Sequence, residues 1–132
     1  MIAPSLAEID EMARAALDEL PDLFRRFTRD VVVQVAEFPE DDVCAEMDLE
    51  SPFDILGLYQ GIAMDEKTEA SGTLPDMVFL YRRPILDYWC ESGEDLHHVV
   101  RHVLIHEIGH HFGLSDDEMA AIEARDSQPT SP

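Results

Sequence analysis

Basic residues are scarce in this sequence: 9 Lys and Arg stand against 29 Asp and Glu, a formal net charge of −20 over 132 residues. A surface that negative repels phosphate backbones and anionic lipid, so neither nucleic acid nor a membrane is an expected partner. Cysteine is nearly missing as well. Cys44 and Cys90 stand alone with no C-x-x-C spacing, which argues against a disulfide framework or a zinc knuckle and is compatible with a reducing compartment. No run approaches the roughly 18 apolar residues of a membrane span. The start, Met1-Ile2-Ala3-Pro4-Ser5, has neither the basic nor the apolar region of a signal peptide. A soluble cytoplasmic protein is the expectation, and a monomer. Internal repeats and interdomain linkers are also lacking, so residues 1–125 read as one domain, long enough to bury a core, and 126–132 as a polar, disordered tail.

What is present begins with a helix. Ser5 and Glu8 form a capping-box pattern, and Ile9, Met12, Ala13, Ala16, Leu17 and Leu20 recur at helical spacing, which predicts an amphipathic helix from 6 to about 20. Pro21 ends or kinks it, and 22–28 can add a short helical piece. The β-branched run Val31 to Ala36 predicts a strand closed by Pro39 and the acidic Glu40, Asp41 and Asp42, with 39–53 as a solvated loop. Further strands are predicted at 55–60 and 77–81, with a fourth in 61–64 or 42–47, and a loose connection through Gly72. Pro84 at a first helical position suggests a short helix through Trp89. Ser92 and Asp95 resemble a capping pair for a long helix over 97–112. Its Val99, Val100, Val103, Leu104, Ile105, Ile108 and Phe112 leave it apolar over most of its surface and hence buried. A last short helix is predicted over 118–125.

That long helix carries His106-Glu107-Ile108-Gly109-His110-His111-Phe112-Gly113-Leu114-Ser115-Asp116. Residues four apart on a helix differ by about 40° in azimuth and about 6 Å in rise, so His106 and His110 can present imidazoles to one ion. Gly113 supplies the backbone freedom to stop and turn, after which Asp116 can swing back as a third ligand. A bare H-E-x-x-H arises by chance in roughly 3% of shuffles of this composition, and the added Gly and Asp reduce that to about one in ten thousand. Three protein ligands with an open fourth position mark a catalytic zinc site, although iron, cobalt and nickel also suit these ligand types. Such an ion acidifies its water and polarises a carbonyl. Glu107 then stands as the general base that passes a proton to the leaving amine, so amide hydrolysis is the natural reaction.

His106 to Asp116 resembles the H-E-x-x-H-x-x-G-x-x-D pattern of zincin-type metallopeptidases. The chain is similar in outline to a small bacterial family of minimal, matrix-metalloprotease-like zincins. Leu56-Gly57-Leu58-Tyr59 and Tyr81-Arg82-Arg83-Pro84-Ile85-Leu86 look like blocks of that family, so the resemblance extends over most of residues 5 to 125. It implies a compact α+β fold in which a small mixed sheet of three or four strands, with the N-terminal helix, backs a central buried metal helix. It also implies zinc on His106, His110 and Asp116, Glu107 as base, and an extended peptide lying along an edge strand. Small or unfolded peptides are the substrates expected; the alternative is a zincin-like binding or regulatory module without turnover. Two departures stand out. The third ligand is Asp where the larger metzincin group mostly has His, and Met119 follows Asp116 by three residues where metzincins carry a Met turn well downstream.

Other residues compete for roles. His102 stands one turn before His106 on the same stripe and reads as a buried or supporting histidine, because three ligands are already supplied. His111 points about 100° from His110 and suits a structural hydrogen bond, while His97 and His98 face solvent. Asp117 is a weaker claimant than Asp116 for the ligand position. Met119 reads as core, Arg82 and Arg83 as ion-pair partners, and nothing in the spacing selects Tyr59 or Tyr81 as an oxyanion donor.

Overall fold

The computed structural model describes residues 3–20, 22, 25, 31–61 and 76–127. Helix α1, Leu6–Glu19, starts on the expected box: the Ser5 hydroxyl accepts from the Glu8 N–H, and the Glu8 carboxylate accepts from the Ser5 N–H. Ile9, Ala13 and Ala16 form its buried face. Strand β1 spans Val31–Ala36, as the β-branched run predicts. The short piece expected at 22–28 and the connection through Gly72 lie largely outside the described residues.

The acidic segment after β1 departs from expectation. Asp41–Glu46 is a short helix, α2, where a loop or a fourth strand was expected. Its first turn carries Asp41 and Asp42, which the positive end of a helix favours, and it buries no side chain. Strand β2 follows at Gly57–Gln60 and β3 at Asp76–Tyr81.

The three strands form a mixed sheet in the order β1-β3-β2. β3 pairs parallel with β1, Val31 opposite Asp76 and Ala36 opposite Tyr81, and antiparallel with β2, Gly57 opposite Leu80. The central strand is therefore the apolar Met77 to Tyr81 run, with Val78 and Leu80 fully buried. β2 is left as an edge strand among the described residues.

Helix α3, Arg82–Ser92, leaves β3 without a loop, and Pro84 sits in its first turn, two residues after the start. It stops at Gly93, whose φ is 71°. The notional Ser92 and Asp95 pair separates into two roles. The Ser92 hydroxyl accepts from the Glu94 N–H, while Asp95 alone caps the next helix by accepting from the His98 N–H.

That next helix, α4, Leu96–His111, is the centre of the fold. Eight of its residues are buried: Leu96, Val99, Val100, Val103, Leu104, Ile105, Ile108 and Gly109. It packs on α1, on β2 and β3, and on α3. Helix α5, Asp116–Ser127, packs back against it and starts two residues earlier than expected. The overlooked signal is a second capping box: the Ser115 hydroxyl accepts from the Glu118 N–H, and the Glu118 carboxylate accepts from the Ser115 N–H. No described helix is long and apolar enough to cross a membrane.

Candidate metal centre

Between α4 and α5 the chain reverses in a few residues. Gly113, at φ 76°, donates to the His110 carbonyl, and Leu114 donates to that of Gly109, the two bonds of a Schellman motif. The Ser115 box restarts the helix at once. The reversal holds α5 against the metal-motif face of α4, and side-chain contacts set its register. A Cβ added at Gly109 would lie 2.5 Å from Met119 Sδ, so the missing side chain is what lets the fully buried Met119 seat on α4. Farther along, the Arg101 guanidinium donates to the carbonyls of Ile122 and Glu123 at 3.3 and 3.1 Å.

Histidines 98, 102, 106 and 110 recur every four residues along α4. The His102 and His106 rings are 4.1 Å apart between centroids, and those of His106 and His110 are 5.8 Å apart. Two carboxylates of α5 meet this stripe. Asp116 Oδ1 lies 3.8 Å from His110 Nε2, with the Asp116 side chain 90% exposed. Glu123 is 16% exposed and spans two imidazoles, Oε1 at 2.5 Å from His102 Nδ1 and Oε2 at 3.6 Å from His106 Nε2.

Four donors around an ion at zinc bond lengths stand about 3.4 Å apart. His106 with Glu123, and His110 with Asp116, are already near that separation. Among the described residues, the trio whose donor atoms all fall within 4.8 Å of one another is His102, His106 and Glu123. The motif set of His106, His110 and Asp116 is not gathered to that limit. Two imidazoles and a carboxylate suit zinc, so the donor chemistry fits the ion the motif implies. Spacing within the motif could not reveal Glu123, and it set His102 aside as a supporting residue.

Glu107 stands within reach of both His110 of this stripe and the Tyr59 backbone of β2. The Tyr59 backbone N–H lies near enough to favour the charged form of Glu107. Burial pushes its carboxyl above the ordinary value, while His110 and the Tyr59 N–H pull the other way. The acid thus lies where the edge strand meets the motif helix. Of the two candidate oxyanion donors, the Tyr59 hydroxyl is engaged, donating to Asp76 at 2.9 Å. Tyr81 is 3% exposed, and burial pushes its phenol up to about 12. His111 stacks on the Tyr59 ring with centroids 3.9 Å apart. Arg82 pairs with Glu37 and donates to the Pro4 carbonyl, and Arg83 lies over the Phe38 ring. Cys44 and Cys90 are free thiols.

A helix-borne H-E-x-x-H backed by a small mixed sheet, with a carboxylate returning from the following helix, defines a zincin-type protein. The chain belongs to the zincin-like metallopeptidase family, whose model matches residues 28–125. Among solved structures, it resembles a conserved hypothetical protein from Thermus thermophilus at 23% identity and a TM-score of 0.52, covering 82% of this chain and 94% of that one. That likeness speaks for the fold. No sequence among curated proteins matches.

Proposed function

We propose that this protein is a zinc-dependent peptidase acting on small or unfolded peptides, with Glu107 as its general base. His106, His110 and Asp116 are the ligands the family motif assigns to the ion. A divalent ion held there supplies an acidified water and a Lewis acid for the scissile carbonyl.

The observation that carries the reading is the placement of Glu107. Its carboxyl is raised above the ordinary carboxylate value by burial, which suits a group that must take a proton and then return it to the leaving amine. It also lies beside the β2 edge, near the Tyr59 backbone, which supports an extended peptide pairing with β2 next to the base.

The test is metal analysis followed by a peptide-cleavage assay. His106→Ala is expected to lose zinc, and Glu107→Gln to keep zinc and lose hydrolysis. A zinc-loaded wild type that cleaves no unstructured peptide overturns the proposal. That outcome, together with a stable partner complex surviving Glu107→Gln, would favour a binding module without turnover.

A further inference from the structure

The histidine stripe of α4 extends one turn beyond the motif, and the better-buried carboxylate of α5 faces that extension. We propose that His102, His106 and Glu123 form a second cation position for zinc or a similar divalent transition ion, displaced along α4 from the motif set and sharing His106 with it.

Four observations converge. His102 and His106 stand four apart, the spacing that lets two imidazoles of the motif meet one ion. Both imidazoles already contact one carboxylate, each through a different oxygen. Closing on an ion requires the 2.5 Å pair to open by about 1 Å and the 3.6 Å pair to stay nearly where it is. Last, α5 is held in register up to Glu123, by Met119 on Gly109 one turn earlier and by Arg101 on the carbonyls of Ile122 and Glu123, so the carboxylate is delivered by packing.

The donor set selects the class of ion. Imidazole nitrogens disfavour magnesium and calcium, which take oxygen ligands, and the lack of thiolate disfavours copper(I). His102 is 45% exposed, which leaves a route for the ion and room for water as a further ligand. Because a ring nitrogen offers one lone pair, a shared His106 Nε2 admits an ion at one position or the other.

Co2+ titration of the full chain, followed by visible absorption, tests this without reference to hydrolysis, so its outcome stands apart from the peptidase reading. The key variant is His110→Ala with Asp116→Ala, which removes two side chains that are 59% and 90% exposed and leaves the core intact. It is expected to bind one equivalent of Co2+. Adding Glu123→Gln should weaken that binding more than about 100-fold, beyond the roughly 10–100-fold loss typical of a group that only orients a ligand. Should Glu123→Gln lower the helical circular dichroism, the decision passes to His102→Gln on the same background, which is expected to give the same loss. No saturable Co2+ binding in the double variant, a smaller loss on adding the third substitution, or two equivalents bound by wild type each overturn the proposal.

Discussion

Replacing Gly109 by Ala tests whether α5 is seated on α4 as described. In an open helix the change stabilises by roughly 0.5–1 kcal/mol, because glycine loses more backbone freedom on folding. Here the new methyl would sit 2.5 Å from Met119 Sδ and 2.9 Å from its Cγ, more than about 1 Å inside ordinary van der Waals contact. Met119 is 0% exposed, so it has no open solvent to move into. Overpacking of this kind costs about 1–3 kcal/mol. The propensity gain offsets part of it and leaves a net loss near 1–2 kcal/mol, or about 3–8 °C in Tm for a chain of this size. Thermal unfolding followed by circular dichroism in chelator measures it. The same substitution on a Met119→Ala background has room for the methyl and should become neutral or stabilising, a coupling of about 1–3 kcal/mol across the cycle. A rise in Tm on the wild-type background, or equal effects on both backgrounds, refutes the reasoning.

Three further outcomes are expected. Gly113→Ala should cost about 1 kcal/mol because φ is 76° there, and Gly113→Asn less, both read from denaturant midpoints; equal effects would count against a left-handed cap. Ser115→Ala removes the cap that starts α5 and should cost about 1 kcal/mol, with no loss if the box contributes nothing. For metal-free protein, burial raises the Glu107 carboxyl in the folded state, so stability from the protonated form is present at low pH and lost as pH rises through the folded pKa. Glu107→Gln should therefore be more stable than wild type at neutral pH, with the advantage shrinking as pH falls into the ordinary carboxylate range. An advantage that stays constant from pH 4 to 8 contradicts this.

Legibility in the sequence followed the locality of the physics. β1 was readable because a β-branched run is a strand signal in itself, and α1 and α4 because caps and apolar periodicity agree. α2 was not: Glu40, Asp41 and Asp42 read as a solvated loop, and the helix they open buries nothing that could mark it. The start of α5 was hidden because Ser115 and Asp116 read as part of the ligand turn, although Ser115 and Glu118 spell a capping box. The parallel pairing of β1 with β3 places β3 between β1 and β2, an order that no local pattern in the three strands announces. At the site, His106, Glu107, His110 and Gly113 are a helix-and-stop pattern that spacing alone exposes. The approach of Glu123 to His102 is a product of helix packing, set by Gly109, Met119 and Arg101, and no motif spans it.

The reversal at Gly113 also bears on the order in which the molecule assembles. His102 and Glu123 are 21 positions apart, so bringing them together closes a short loop, whereas β1 must find a strand that begins only at Asp76. The helical hairpin can accordingly gather its imidazoles and carboxylates while the sheet is still open. A divalent ion present during folding would then act as an early staple for the C-terminal half, detectable as faster refolding in zinc than in chelator.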